Sequence, residues 1–258
     1  MNKIHIHWFI RISLALFEAC KMKQLIKHRV SILYALFFLV WIFQFDWIKE
    51  NILFFIDDQS RLVQRISLLE LAVQHIQIVV LASSISIVIA LVLALSVHLS
   101  QSKEYRDLIL QFSTIGETLP TAAIIALSVP IMGYGNGPLL LALSIYGILP
   151  ILRNTLEGLS SIPRSINEAA LGLGLTAMER LIKIELPLAL PNILTGIRIA
   201  TIINVSAATI GATVGAGGFG VMIVSGIRTY EPLLVIQASV PVILLALWFD
   251  RVLRVSAH

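Results

Sequence analysis

Residues 165–191 read SINEAALGLGLTAMERLIKIELPLALP, and they gather Glu168, Glu179, Arg180, Lys183 and Glu185 inside a chain that is 57% hydrophobic and only 13% charged. The stretch carries its own folding signals. Ser165 and Glu168 have the spacing of a capping box, in which the hydroxyl accepts a backbone N–H and the carboxylate reaches back to the cap. That spacing predicts a helix over Ile166–Leu173, about 12 Å long at roughly 1.5 Å per residue. Gly174 then stands where a helix favours a left-handed residue after its end. Thr176 and Glu179 repeat the box and predict a second helix, with Met178, Leu181 and Ile182 on one face, Glu185 nearby and Pro187 as its end. On the first helix Ala169, Ala170 and Gly172 carry almost no bulk, so another surface can approach the backbone closely. Two readings follow: a well-capped solvated connector, or an element that another protein holds.

Outward from this loop the chain turns apolar. The mean hydropathy is +0.90. Apolar runs predict spans near Val30–Trp47, Ala72–Leu99, Leu108–Met132, Pro138–Leu152, Leu190–Thr213 and Pro232–Phe249, the fourth extending past Arg153 toward Gly158. A bilayer core of about 30 Å is crossed by roughly 17 to 25 helical residues, which suits these runs. None alternates apolar with polar residues as the strands of a membrane β-barrel do. The expected fold is therefore all-α and polytopic, with about six transmembrane helices. Residues 1–70 supply an N-terminal segment, a first span and an external connector. Residues 71–254 supply a core of about five spans, in which 153–187 is the polar loop.

Charge gives the orientation. If the N-terminus and the 153–187 loop share a side, that side holds fourteen of the nineteen Lys and Arg residues; Lys49, Arg61, Arg65 and Arg228 lie opposite, and Arg198 falls within a span. The positive-inside rule then assigns the loop and both termini to the cytoplasm. The pI of 9.4 records this topology instead of a nucleic-acid-binding face, so no nucleic-acid partner is expected. The segment IHWFIRISLALFEAC at 6–20 is interrupted by Arg11 and Glu18 and reads as an amphipathic helix on the membrane surface. The single cysteine, Cys20, excludes an intramolecular disulfide framework, and the isolated His5 and His7 are read as solvated, with no metal site.

Three further features call for chemistry. GAGGFG at 215–220 has the spacing of a dinucleotide fingerprint at Gly215, Gly217 and Gly220, but it follows an apolar helix where that fingerprint needs a strand. Together with Gly218 it is expected to form a break or re-entrant turn, serving either an external gate or close helix packing. Ser206, Thr209 and Thr213 fall on one face of the fifth span, either lining a path or bonding between packed helices. Glu117 and Arg198 are intramembrane charges near cytoplasmic ends, read as structural or subunit-contact residues, with substrate ligation as the alternative. The chain has no G-x-x-x-x-G-K-[ST] loop to cradle the phosphates of ATP, and no catalytic residues are expected.

The opening stretch also carries a resemblance. Glu168-Ala169-Ala170, three residues, Gly174, nine residues, Ile184, one residue and Leu186-Pro187 resemble the EAA loop of permease subunits in bacterial binding-protein-dependent ABC importers. GETLPTAAIIALSVPIMGYGNGP (116–138), YGILPILRNTLEGL (146–159) and ATIGATVGAGGFG (208–220) resemble the osmoprotectant branch, whose cargoes are glycine betaine, choline, carnitine and similar quaternary amines. The likeness covers roughly 72–253 and leaves residues 1–70 outside.

The resemblance implies a type I ABC importer permease fold in the bacterial inner membrane, with the loop inserted into a groove of a separate ATPase subunit. Glu168, Ala169, Ala170, Gly172, Gly174, Ile184, Leu186 and Pro187 would be the coupling residues. A second permease, the same chain or a sister, and a soluble or lipid-anchored substrate-binding protein would complete the assembly. This chain would itself bind no cofactor, ATP and Mg remaining on the ATPase. Such a loop identifies coupling and not cargo. An importer of another small solute, such as methionine or an oxyanion, is the alternative, and a non-transporting membrane scaffold or sensor is the rival of a different class.

Overall fold

The computed structural model describes residues 29–51 and 67–254. The N-terminal segment with His5, His7 and Cys20 and the connector 52–66 lie outside the described residues, within which every regular element is helical. Helices α1 (Arg29–Phe43) and α2 (Phe45–Asn51) meet at 84°. Ser67 caps α3 (Leu68–Ser100) by accepting the Glu70 N–H at 3.1 Å, and Gln101 ends it in a left-handed conformation. With 33 residues, α3 is about 50 Å long, so it tilts in a bilayer or projects from it.

Ser102 caps α4 (Lys103–Thr118), and α5 (Thr121–Met132) leaves it at 91°. The third expected span is thus two helices. Leu119 takes extended backbone before Pro120, as a residue preceding proline tends to, and the Tyr146 hydroxyl donates to the freed Leu119 carbonyl. Next come α6 (Asn136–Ser160), α7 (Arg164–Gly172) and α8 (Ala177–Arg180). A π turn (Leu181–Glu185) carries α8 directly into α9 (Leu186–Ala207), which tightens into a 3-10 segment (Ala208–Val214). A glycine-rich loop, α10 (Gly220–Thr229) and α11 (Pro232–Leu253) complete the chain. Four helices are long and apolar enough to cross a membrane alone, and the two bent pairs qualify when each is taken as one broken span.

Helices α3, α6 and α9 pack into the core through small residues. Ala82, Ala90 and Ala94 of α3, Ala142 of α6 and Ala189 and Ala200 of α9 are fully buried. A Cβ added at Gly196 would sit 2.8 Å from the Pro150 carbonyl oxygen. Lipid is as apolar as the side chains, so such close backbone approach and interhelical hydrogen bonds hold a membrane bundle together. Asn204 Nδ2 donates to Ser83 Oγ at 3.1 Å, joining α9 to α3, and Ser86 Oγ donates to the Ser144 carbonyl at 2.8 Å, joining α3 to α6.

Candidate functional site

The polar loop is two short helices joined by a hydrogen-bonded turn at Gly174. Its first helix starts at Arg164, after Pro163 with φ of −57°, and no side chain caps it. The expected Ser165 capping box is therefore absent: proline presets the entry dihedral and begins the helix before Ser165, which lies inside it. At the other end Gly174 has φ of +75°, its N–H bonds the Leu171 carbonyl at 2.9 Å, and the Leu175 N–H bonds the Ala170 carbonyl at 3.2 Å. These are the two bonds of a Schellman turn, which satisfies carbonyls that a helix end leaves free. The second box forms as expected. Thr176 Oγ1 accepts the Glu179 N–H at 3.3 Å, and the Thr176 N–H donates to Glu179 Oε2 at 3.1 Å. Lys183 donates to Glu179 Oε1 at 2.9 Å; this bond first, then those from Thr176, holds the solvent-exposed loop carboxyl of Glu179 down to about 2.

Exposure shows what the loop offers. Leu171, Leu173, Met178 and Ile182 are 57%, 80%, 55% and 57% exposed. They stand on the polar loop beside exposed Glu168, Ala169 and Gly172, with open space around both Gly172 and Gly174. Ala170 differs from expectation: it is 1% exposed, so its small side chain serves the chain's own packing. The second helix is also split, with Leu181 and Glu185 facing inward while Met178 and Ile182 face out.

Pro187 does not end that helix. Proline clashes with the carbonyl four residues back, and a widened turn just ahead of it relieves the conflict. The Leu186 N–H bonds the Leu181 carbonyl, five residues back, and the helix runs on into α9. Ile184, Leu186 and Pro187 therefore stand where the loop becomes the span. Glu185, only 2% exposed, is clasped there: Arg180 Nε donates to Oε1 at 2.8 Å and His98 Nε2 donates to Oε2 at 2.7 Å. Because His98 belongs to the last turns of α3, this carboxylate ties the loop to a second core helix. Sequence reading missed that role, since the partner lies 87 residues away.

The opposite end of the core holds the glycines. Gly215 and Gly218 have φ of +76° and +92°, while Gly217 and Gly220 allow close approach to the Gln74 side chain and the Thr209 carbonyl. The Gly218 N–H donates to Gln74 Oε1 at 3.0 Å, and a Cβ at Gly218 would sit 3.0 Å from His75 Nδ1. His75 Nε2 donates to the Val205 carbonyl at 3.0 Å and its ring lies against Phe219, so α3, α9 and the glycine loop are locked together. Gln74 and His75 were not singled out from sequence; their signal was polarity inside an apolar run.

From Ala208 the helix tightens to three residues per turn, so Thr209 stays above Ser206 while Thr213 turns about a third of a turn away from them. Thr209 and Thr213 donate to the Ser206 and Ile210 carbonyls of their own turn. Arg198 is paired within the chain. Its Nη2 lies 2.6 Å from Asp250 Oδ1 on α11, and Arg254 bonds the other oxygen at 3.0 Å. Glu117 is half-buried one turn before the α4–α5 bend.

These features define a class: a multi-pass helical membrane protein whose core helices run from a glycine-locked end to a rigid, apolar-studded loop. The chain belongs to the family described as binding-protein-dependent transport system inner membrane component, whose model matches residues 86–258. It is 37% identical over 183 residues to the glycine betaine/carnitine/choline transport system permease protein OpuCB of Bacillus subtilis, covering 71% of this chain and 83% of that one. It is 35% identical over 202 residues to the osmoprotectant import permease protein OsmY of Salmonella typhimurium, covering 76% and 85%. Its fold matches the MetNI methionine ABC transporter in an inward-facing conformation, with TM-score 0.61 and 23% identity over 72% of this chain and 94% of that one.

Proposed function

We propose that this chain is the permease subunit of an ATP-driven importer of osmoprotectants of the glycine betaine, choline and carnitine class. The observation that carries the coupling half is the loop: four exposed apolar side chains, on two short helices and the turn after each, offer a surface that a separate ATPase subunit can grip. The cargo half is supported by the transport named for the two permease relatives.

In this reading the ATPase holds α7 through Leu171 and Leu173, beside Glu168, Ala169 and Gly172. Displacement of α7 passes through the Gly174 turn to α8, and through the unbroken π turn into α9. Glu185 passes the same displacement to α3 through His98. Both helices end at the Gly215–Gly220 loop, where the Gly218–Gln74 bond closes an external gate over the path beside Ser206, Thr209 and Thr213. Arg198–Asp250 keeps α9 and α11 moving together. The loop and both termini face the cytoplasm in this reading, which the excess of basic residues on that side supports. ATP and Mg stay on the ATPase, and this chain hydrolyses nothing. A second permease, identical or sister, and a soluble or lipid-anchored binding protein complete the machine. Quaternary amines suit an aromatic cage, which fits the binding protein better than this path of small residues.

Uptake of radiolabelled glycine betaine, choline and methionine in a strain lacking the subunit tests the cargo. Loss of betaine or choline uptake, restored by the gene, is the expected result; loss of methionine uptake alone would refute the cargo assignment. A reporter fused after Arg254 should read as cytoplasmic.

A further inference from the structure

A cavity of about 480 Å³ opens between the α3–α4 corner, the end of α6 and the polar loop. Its wall is cationic: Lys103 and Arg106 come from α4, Arg164 from α7, Arg180 from α8 and His98 from α3. The one carboxylate in the wall, Glu185, is already bound to Arg180 and His98. Among the described residues, Lys103, Arg106 and Arg164 enter no ion pair. The positive-inside rule accounts for basic residues at this end of the molecule, but not for their convergence from four helices on one concavity.

Two independent features mark the cavity as a ligand site. The first turns of α4 and α7 border it, and α7 has no side-chain cap; the Ile166 N–H bonds the Pro163 carbonyl at 3.0 Å, which leaves the Arg164 and Ser165 N–H groups for an outside acceptor. In the same wall, Asn167 Oδ1 is buried with no hydrogen-bond partner. Buried polar atoms are nearly always satisfied, so an orphan on a side chain that lines a cavity points to a group or water within its reach. Turned over, the same amide presents two donors.

We infer that this cavity binds a phosphate group, carried by an anionic membrane phospholipid headgroup or by a free phosphate ion and not by a zwitterionic headgroup, and that the bound group bridges α4 to the loop. Three unpaired cations exceed what one carboxylate neutralises, and two of them are arginines, whose forks match phosphate oxygens. Occupancy draws Arg164 of α7 toward Lys103 and Arg106 of α4, and so stiffens the loop where the ATPase would grip it. Binding of the phosphate does not depend on the transport reading, so the two can fail separately.

The test uses the full chain with its ATPase in nanodiscs of phosphatidylcholine, with and without phosphatidylglycerol. Native mass spectrometry reads retained phosphatidylglycerol, and calorimetry with inorganic phosphate in pure phosphatidylcholine discs reads the free anion. One probe should bind, and the double variant Arg106→Gln/Arg164→Gln should weaken it on the order of tenfold or more. Arg228→Gln, at the far end of the molecule, should not change it. Thermal midpoints in phosphatidylcholine discs, in buffer without inorganic phosphate, establish that the variants fold; if the double variant does not, Lys103→Gln alone should weaken binding measurably. Retained lipid identifies the headgroup, and a calorimetric signal identifies the ion. Absence of binding by both probes, or binding unchanged in the folded variants, overturns the inference. Loss of ATPase co-purification with unchanged probe binding also overturns it, by assigning the cations to the protein interface.

Discussion

Valine at position 174 would have to adopt a φ of +75° to keep the loop as it stands. A left-handed backbone costs an L-residue about 1–2 kcal/mol, and a β-branched residue lies at the upper end. Nothing lies within 4 Å of a Cβ built at Gly174, so the cost is backbone strain and not collision. The alternative is to abandon the turn, giving up the 2.9 Å and 3.2 Å bonds to Leu171 and Ala170 at about 0.5–1.5 kcal/mol each. Either route costs about 1–3 kcal/mol, and at about 1.4 kcal/mol per factor of ten the aligned loop becomes roughly five- to a hundredfold rarer. Gly174→Val should therefore reach the membrane in normal amounts, co-purify poorly with the ATPase and lose betaine uptake. Gly174→Asn should fall between valine and wild type, since Asn tolerates the left-handed region. Gly172→Ala, inside α7 with open space around it, should hold or gain up to about 1 kcal/mol of helix stability, and should keep uptake unless the ATPase approaches that face closely. Measured together, membrane abundance, ATPase co-purification and uptake decide the matter. Full docking and uptake in Gly174→Val would mean that the turn does not aim α7.

Three other perturbations follow from the same geometry. Glu185→Gln leaves Arg180 and His98 without their shared carboxylate, and should lower the detergent melting temperature by an amount corresponding to about 1–3 kcal/mol while uncoupling ATP turnover from uptake; an unchanged melting temperature argues against the clasp. Arg198→Leu and Asp250→Leu should each destabilise, and a double-mutant cycle should show a coupling energy of about 0.5–3 kcal/mol, whereas additivity would mean the pair is not formed. Gly218→Ala combines a φ of +92° with a Cβ 3.0 Å from His75 Nδ1, so it should abolish uptake while ATPase co-purification stays normal; parallel loss of both would place its effect on folding instead of the gate.

Some of this was legible before any coordinates. Long apolar runs are a solvent requirement, so the spans could be read from residue type, and Gly174 and Thr176–Glu179 are local signals whose partners lie within a few residues. What the residues hid was non-local or competitive. Glu185 and Arg198 find partners 87 and 52 residues away, and no local pattern names His98 or Asp250. At Pro187 the terminating tendency of proline lost to a π turn, which moves the backbone bonds ahead of the proline by one residue and lets the helix run on. At Ser165 a good capping pattern lost to Pro163, which begins the helix first. The alignment of Ser206, Thr209 and Thr213 assumed a uniform helical period that the 3-10 segment breaks.

The central claim is that a separate ATPase drives this chain through α7. Its most direct test is ATP-dependent uptake of labelled glycine betaine in proteoliposomes containing the chain, its ATPase and the binding protein, beside matched vesicles lacking only the ATPase. The account predicts uptake in the complete vesicles, none without the ATPase, and no ATP turnover by the rigorously isolated chain. Betaine accumulation without the ATPase, or ATP hydrolysis by the isolated chain, would contradict it.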